Sequence, residues 1–302
     1  MYYRSFNNAM RERFGTKIYK LSLDIGSTCP NRDGTIGTRG CIFCLNGSGS
    51  FAERRCDSLD EQIENAKKRV ETKNKGGKYM AYFQSYTNTY GNIERLKKYY
   101  NEVIARDDII ALSIATRPDC ISREITEYLA EINKIKPVII ELGLQTIHKR
   151  SAEYIRRGYD LNVFDESMIK LKNAGIDTVV HVIAGLPGET EEDFYETVKY
   201  VAKSGAYGIK IQLLHVLSGT DLADNYHNGN FNCLSEEQYV KIVAHSVELL
   251  PRDMVVMRLT GDGDKKNLIA PLWSADKKRV LNSMKKYFEE NDVTQGRCFD
   301  ND

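Results

Sequence analysis

The sequence predicts an α/β protein, a partial (β/α)6 TIM-type barrel of parallel strands with a C-terminal extension. Two observations predict this fold. Short apolar segments, often rich in β-branched residues, alternate along the chain with amphipathic segments of helical period. Such β–α units in series build a parallel sheet through right-handed crossovers. Six units are present, too few to close an eight-stranded barrel, so we expect an open one.

The predicted elements follow one another without an internal linker, a repeat or a low-complexity run. The predicted strands are 17–25, 79–83, 109–115, 138–142, 177–183 and 208–214. The predicted helices are 59–72, 92–106, 122–134, 163–174, 191–204 and 235–249. SLDE from Ser58 and SEEQ from Ser235 have the spacing of a capping box, which satisfies free amide groups at a helix start. Gly175 and Gly205 are expected to end their helices.

The last fifty residues predict an extension. An apolar segment at 254–258 and an amphipathic one at 277–289 indicate a strand and a helix. We therefore expect a core domain over residues 1–250 and a strand–helix extension over 251–302 packed on it. Ligands of parallel α/β sheets gather at the C-terminal ends of the strands, so functional residues are expected there.

Composition places the chain among ordinary globular proteins. Of its 302 residues, 41% are hydrophobic and 28% are charged. The 43 Lys and Arg and the 42 Asp and Glu give a net charge of +1, which argues neither for nor against nucleic acid. The N-terminus has no signal-peptide pattern, and no segment nears the ~20 apolar residues of a membrane span. We expect a cytoplasmic protein without a membrane partner; the sequence indicates no oligomeric state.

Three of the seven cysteines are clustered directly after the first strand. Cys29, Cys41 and Cys44 have the spacing C-x11-C-x2-C. Three thiolates on a [4Fe–4S] cluster leave one iron open for another ligand, as a catalytic metal requires. The alternative is a zinc site with Cys56 as fourth ligand. Structural zinc more often uses two close pairs of cysteines, and here there is one, so the spacing favours iron and sulfur.

Five ordered motifs, most of them at strand ends, carry a resemblance to a known family. They are DIGSTCPNRDG at 24–34, TRPDC at 116–120, ELGLQT at 141–146, GLPGE at 185–189 and APLW at 270–273. Together with Phe43 between the last two cysteines, they resemble the radical S-adenosylmethionine (SAM) superfamily. Within it, the chain looks like the YhcC/YtqA-like subfamily of the group that resembles the Elongator catalytic subunit.

The resemblance implies a [4Fe–4S] cluster and SAM as cofactors, with Cys29, Cys41 and Cys44 as metal ligands. It also implies the cofactor-binding residues, which are Phe43, Gln84, Ser85, Tyr86, Glu141, Gln145, Arg157, Gly185, Leu186, Leu214 and His215. Residues 84–86 stand where the superfamily has a Gly-Gly-Glu-like stretch that grips the SAM amino group, and the glycines and the acid are absent here. Ala115 replaces a glutamate common in the Elongator-like group.

Individual roles follow from the family pattern. Phe43, Gly185 and Leu186 would lie near the adenine, and 213–216 would meet it through backbone atoms. Gln145 and Arg157 match a Gln and an Arg that bind SAM in oxygen-independent coproporphyrinogen oxidases, and a guanidinium fork suits its carboxylate. An inward Glu141 would reach ribose hydroxyls or substrate. His181, by contrast, is expected to be a hydrogen-bonded core residue.

The implied chemistry is hydrogen abstraction by a 5′-deoxyadenosyl radical, with an external one-electron donor of flavodoxin or ferredoxin type. The Elongator-like group acts on the wobble uridine of tRNA, which implies tRNA as a partner. Basic clusters beside tyrosines fit RNA, although balanced helix faces are the commoner meaning of any one cluster. The specific hypothesis is conversion of 5-carboxymethylaminomethyl-uridine to aminomethyl-uridine. Cys120 is a candidate hydrogen or electron relay, and a buried structural thiol is its commoner role.

Two alternatives stay open at this point. One is a radical SAM enzyme that oxidises a small metabolite or cofactor precursor, with the basic clusters merely solvated. The other, from a different class, is a zinc-stabilised RNA-binding module without catalysis. Metal content separates the second from an enzyme, and salt-sensitive retention of tRNA separates the first from a tRNA-modifying enzyme.

Overall fold

A computed structural model describes residues 2–45, 58–73, 77–261 and 263–300. Within these ranges, seven parallel strands form one sheet in the order β1-β2-β3-β4-β5-β6-β8. They are β1 (Tyr19–Leu23), β2 (Tyr79–Phe83), β3 (Ile109–Thr116), β4 (Val138–Gln145), β5 (Asp177–Ala184), β6 (Gly208–Leu213) and β8 (Val255–Arg258). The strands follow each other in chain order, as β–α units predict, and the predicted partial barrel is confirmed.

Helices flank the sheet, most of them on its outer face. They are α1 (Phe6–Phe14), α2 (Leu59–Val70), α3 (Ile93–Ile104), α4 (Arg123–Asn133), α5 (Lys149–Tyr154), α6 (Leu161–Asn173), α7 (Glu191–Lys203), α8 (Asp221–His227), α9 (Glu236–Glu248) and α10 (Lys277–Glu290). A two-stranded antiparallel ribbon joins β7 (Val216–Leu217) to β9 (Leu268–Ala270). The longest of these helices has 14 residues, and none in the described ranges could span a bilayer.

The helix boundaries have the expected local causes. Ser235 and Gln238 form a complete capping box at the start of α9. Ser58 accepts a hydrogen bond from the amide of Glu61 at the start of α2. Gly175 and Gly205 follow α6 and α7 with φ of 68° and 76°, the left-handed geometry that ends a helix.

The sheet has one strand more than the six β–α units of the sequence. β8 comes from the segment expected in the extension, and it pairs in parallel with β6. Its four residues are too few to reveal their place in a sheet from periodicity alone. The division of the chain at residue 250 stays a prediction.

An unpredicted helix, α1, closes the bottom of the barrel. Ala9 and Met10 are buried against inward side chains from the N-terminal ends of the strands. That apolar cluster contains Ile18, Met80, Ala111, Ile139, Val179 and Val255. Just before the helix, the carbonyl of Arg4 accepts a hydrogen bond from Val256 of β8 at 2.9 Å. The lumen is therefore sealed beneath, and functional residues are left to its middle and its C-terminal end.

Candidate active site

The lumen holds a cavity of about 860 Å³ that runs from the C-terminal ends of the strands into the barrel. Most of the residues predicted for the site line it. They are Cys29, Cys41, Phe43, Cys44, Gln84, Tyr86, Glu141, Gln145, Arg157, Leu214 and His215. The structure thus brings residues from separate motifs around one space.

The loop after β1 folds back on itself and presents its cysteines to the cavity. The amide groups of Arg32 and Asp33 donate to the carbonyl of Cys29 at 2.8 and 3.2 Å. The amide of Cys44 donates to the carbonyl of Cys41 at 2.9 Å. Because these turns shorten the loop, all three thiols reach the same cavity wall.

Asn31 ties this loop to the segment that follows α5. It is 4% exposed, and its side chain donates to the carbonyls of Arg156 at 2.7 Å and Arg157 at 3.2 Å. The same amide nitrogen lies 3.5 Å from Sγ of Cys41. Arg156 has a left-handed backbone, with φ of 56°. A donor beside a thiol favours its charged form, which is the form that binds metal.

The environment of the thiols fits an iron–sulfur cluster. Burial, and after it the neighbouring Cys44 thiol, raises the pKa of Cys41 to about 11. Such a thiol keeps its proton unless a metal cation replaces it, which is what a cluster iron does. In the described part of the chain, no fourth cysteine lines the cavity. Cys56, the fourth ligand of the zinc alternative, lies outside the described residues.

Gln145 fits a ligand with donor groups. It ends β4 with a left-handed backbone, at φ of 70°. Its Oε1 is buried and has no hydrogen-bond partner among the described residues. A buried acceptor without a partner beside a cavity favours a ligand that brings a donor. The amino and hydroxyl groups of SAM are donors of this kind.

Arg157 lies on the cavity wall, but its guanidinium already has partners. It donates to the carbonyls of Thr146 at 2.6 Å and Leu144 at 3.2 Å. It also donates to the carbonyl of Tyr159 at 3.1 Å and lies 4.4 Å from the centre of that ring. These bonds hold the turn after β4 in place. Binding of the SAM carboxylate by Arg157 stays a prediction.

The segment after β2 directs alternate side chains to the cavity. Gln84 and Tyr86 line it. Tyr86 has a left-handed backbone, with φ of 59°, and its ring centre lies 5.8 Å from the guanidinium carbon of Arg32. Ser85 between them is fully buried and does not line the cavity, and its hydroxyl has no partner in the described ranges. Contact of this segment with the SAM amino group stays a prediction.

Gly185, Leu186 and Cys120 are also placed away from the cavity wall. Leu186 packs in an apolar cluster with Ile42 and Leu214, against which Phe43 lies. A Cβ on Gly185 would lie 3.0 Å from Leu234. Both residues are therefore behind Phe43 and Leu214 rather than at the cavity itself, and their predicted contact with adenine stays untested.

Cys120 lies in a short 3-10 turn, Pro118–Cys120, that follows β3. Its Sγ is 3.9 Å from Oδ1 of Asp119. Burial, and then the charge of Asp119, raises the pKa of this thiol. Cys120 is not among the residues that line the cavity, and its predicted role as a relay stays untested.

Deep in the lumen, strand side chains form a charged layer that we call the lumen floor. Its members are Lys20, Tyr82, Ser113, Glu141, His181, Lys210 and Arg258. Oε1 of Glu141 accepts from Lys20 and Ser113, each at 2.5 Å. Oε2 accepts from His181 at 2.7 Å, Lys210 at 2.9 Å and Tyr82 at 3.2 Å.

Glu141 therefore has five hydrogen-bond partners, about as many as a carboxylate can hold. This arrangement leaves no lone pair for a ribose hydroxyl unless a donor moves away. The predicted contact of Glu141 with SAM stays a prediction. His181 is hydrogen-bonded to Glu141, in agreement with its expected place as a partnered core residue.

Electrostatics in the floor are set by burial and by the single carboxylate. Burial alone would raise the pKa of Glu141, but Lys20 and Lys210 hold it well below its usual value. Burial lowers the pKa of Lys210 to about 7; Glu141 opposes this shift, and the like charges of Arg258 and Lys20 add to it. Burial and Lys210 also lower the pKa of His181 to about 4, so this imidazole is neutral at pH 7.

Sequence analysis missed most of the floor. A signal was nevertheless present, because Lys20, Glu141 and Lys210 are each the only charged residue of their strand. His181 likewise lies among apolar residues in the middle of β5. Such residues on buried strands must find partners in the lumen. The partners could not be assigned without the curvature of the sheet.

Comparisons with known proteins agree with this geometry. A family model described as the Radical SAM superfamily matches residues 31–201. A second, described as the Radical_SAM C-terminal domain, matches residues 206–290. YtqA of Bacillus subtilis (strain 168) is 44% identical over 298 residues, which cover 98% of this chain and 92% of that protein. YhcC of Escherichia coli (strain K12) is 31% identical over 289 residues, covering 95% and 93%.

More distant matches extend the comparison. A tRNA uridine(34) acetyltransferase of Methanocaldococcus jannaschii is 27% identical over 157 residues, which cover 51% of this chain and 28% of that protein. Among solved structures, the archaeal Elp3 of Methanocaldococcus infernus has a TM-score of 0.69 at 17% identity. That match covers 92% of this chain and 64% of the other, and it supports the fold.

Proposed function

The chain belongs to the radical SAM superfamily, and from this premise we propose that it modifies the wobble uridine of tRNA. Members of the superfamily are enzymes that use a [4Fe–4S] cluster and SAM. Membership therefore overturns one alternative, the zinc-stabilised module without catalysis. The finer proposal is conversion of 5-carboxymethylaminomethyl-uridine to aminomethyl-uridine.

Residues of this chain are suited to hold both cofactors. Cys29, Cys41 and Cys44 would hold the cluster, and Gln145 offers SAM a buried acceptor. When bound, the cluster and SAM supply a 5′-deoxyadenosyl radical that takes a hydrogen atom from an unactivated C–H bond. The protein supplies position and excludes water, since the lumen is sealed below by α1 and walled by strands.

The observation that carries the tRNA proposal is the charge of the cavity wall. Among the described residues, eight Lys and Arg side chains line the cavity, against two acidic ones, Glu141 and Asp264. The whole chain has a net charge of only +1, so the excess is local. A cationic cavity attracts an anionic substrate. Tyr86, at the cofactor end of the same wall, offers a ring for stacking a base.

The proposed conversion balances as an oxidation followed by hydrolysis. The N–CH2 group next to the side-chain carboxylate loses two electrons and two protons and becomes an imine. One electron and one proton leave as the abstracted hydrogen atom. The second proton leaves the nitrogen for water, and the second electron would pass to a one-electron acceptor of flavodoxin or ferredoxin type. Water then splits the imine, which releases glyoxylate and leaves the aminomethyl group on the uridine. Abstraction next to nitrogen is favoured because nitrogen stabilises the resulting radical.

The reaction also defines its partners. A radical SAM enzyme needs an external electron donor, and we propose a flavodoxin or a ferredoxin. Such a donor, the oxidation-sensitive cluster and tRNA occur together in the cytoplasm, where we propose that the protein acts.

The test uses the reconstituted full-length enzyme with SAM, a reductant and tRNA that bears 5-carboxymethylaminomethyl-uridine. We expect deoxyadenosine, glyoxylate and aminomethyl-uridine in equal amounts, measured by mass spectrometry. The control is the same tRNA with unmodified uridine, which should release no glyoxylate. Deoxyadenosine without a change in the modified base would contradict the proposal. That result would favour the remaining alternative, in which the enzyme oxidises a small metabolite or cofactor precursor.

A further inference from the structure

In the lumen floor, two lysines share one carboxylate. Lys20 and Lys210 both form ion pairs with Glu141, the only acidic side chain of this layer among the described residues, and all three line the cavity. We propose that the lumen floor is a binding subsite for the carboxylate at the end of the substrate's side chain. This inference rests on the proposed function, because that substrate ends in a carboxylate.

The floor is open toward the cofactor end of the cavity. Two positions further along their strands, the residues that follow Lys20, Ser113 and Glu141 are small: Ser22, Ala115 and Gly143. These three also line the cavity. Their size leaves space above the charged layer, whereas the apolar cluster with α1 closes the space below it. A narrow substituent can therefore reach the floor from above.

Hydrogen-bonding capacity remains on the cationic side of the floor. An ammonium group has three N–H donors. Within the described residues, Lys210 uses them for Glu141 at 2.9 Å and Tyr82 at 3.1 Å. Lys210 is 5% exposed, so a third partner must come from within the cavity. Because Glu141 has no lone pair left, the remaining N–H donor of Lys210 is available to an anion that enters the cavity.

The proposed subsite on the lumen floor lies deeper in the barrel than the upper part of the cavity, where SAM and its carboxylate are expected. Glu141 and Gln145 lie on the same strand, four residues and about 13 Å apart. Gln145 and the cysteine loop form the upper part of the cavity, where the cofactors are expected. A carboxylate on the floor would point the substrate side chain upward, so that its methylene faces the cofactor end. The floor thus selects a substituent by both charge and length.

The experiment compares two anticodon stem-loop RNAs that differ only at the end of the wobble side chain. One ends in the natural carboxylate and the other in the isosteric amide. We expect the iron-loaded wild-type enzyme to prefer the carboxylate in kcat/KM by roughly 10- to 100-fold, the usual range for a buried bond to a charged group. In Lys210→Met, the preference should fall to about threefold or less.

The matched control is Lys241→Met, which removes a lysine that is also paired with a glutamate but lies on the outer face of α9. It should keep the wild-type preference. Iron content and the unfolding temperature show whether Lys210→Met folds; if it does not, Lys20→Met provides the same comparison. An unchanged preference in a folded variant overturns the proposal.

Failure of the proposed function is distinguishable from failure of this inference. If wild-type enzyme converts neither RNA, the proposed reaction is wrong, and calorimetry then tests the floor directly. The probes are the 5-carboxymethylaminomethyl nucleoside and its amide. Tighter binding of the carboxylate by wild type, lost in Lys210→Met, supports the subsite. Equal binding of the two nucleosides by wild type overturns it.

Discussion

The upper part of the cavity and the lumen floor are built in different ways. The upper part depends on one loop, in which Cys29, Cys41 and Cys44 are held by hydrogen bonds within a stretch of sixteen residues. The floor takes one side chain from each of the seven parallel strands, and its members touch only because the sheet curves. The comparison teaches that a substitution in the cysteine loop should abolish catalysis and leave the fold intact. A substitution in the lumen floor should instead lower the stability of the fold.

The largest effect is expected in the loop. Alanine at any one of Cys29, Cys41 or Cys44 should lower deoxyadenosine formation by at least roughly 1,000-fold, because two thiolates do not hold the cluster that three do. The metal-free protein should unfold at nearly the same temperature as metal-free wild type. Iron content, product formation and thermal unfolding provide the measurements.

The control for the loop is Cys298→Ala, which changes an exposed cysteine elsewhere. It should keep iron and activity. If alanine at the three clustered positions leaves turnover intact, the division between the two regions is wrong.

The second effect concerns stability of the floor. Glu141→Gln removes the only carboxylate among buried cations and should lower the free energy of unfolding by about 3–5 kcal/mol at pH 7. The loss should shrink as pH rises, because the buried lysines then release their protons. Chemical denaturation of the metal-free protein at several pH values measures the loss of unfolding free energy and its dependence on pH.

Glu237→Gln is the matched control for the floor. Glu237 pairs with Lys241 on the exposed surface of α9, where solvent screens the charges, and its loss should leave the free energy of unfolding nearly unchanged. Equal effects of the two substitutions would remove the contrast between floor and surface.

The smallest effect is a pH dependence that sharpens the comparison. Lys210, faced by Glu141, Lys20, Arg258, Tyr82 and His181, has a pKa lowered to about 7 in the folded protein. An anion on the floor raises this pKa, so the complex binds more protons than the free enzyme. KM for the carboxylate RNA should therefore be flat below about pH 6, roughly double by pH 7 and rise about fivefold more between pH 7 and 8.

The amide RNA provides the reference for this profile. It places no charge beside Lys210, and its KM should vary little over the same range. A parallel rise for both RNAs would assign the dependence to a group outside the floor.

The sequence predicted local features well and non-local ones poorly. β2 matched its predicted range, and the cysteine loop was identified from spacing and motif. Both depend on neighbouring residues. The place of β8 beside β6 depends on a pairing between residues about fifty positions apart, which no periodicity reveals.

The candidate site shows the same limit at particular residues. Cys120 follows β3, as its motif predicted, but the 3-10 turn Pro118–Cys120 that holds it was not predicted. The sequence left open whether Glu141 points into the barrel, and its partners there come from five other strands. Local sequence therefore indicates which residues matter, whereas the barrel decides what they touch.

Tyr86, Gln145 and Arg156 hold their backbones in a conformation that ordinary side chains avoid, at a cost of order 1 kcal/mol or more each. All three border the cavity or its cysteine loop. A substitution by glycine at these three positions would remove the backbone strain, so they are where thermal stability could be raised most easily. Each such substitution would also remove a side chain that borders the cavity or its cysteine loop. Selection for thermal stability alone, without an activity screen, should therefore favour substitutions at these three positions that lower turnover.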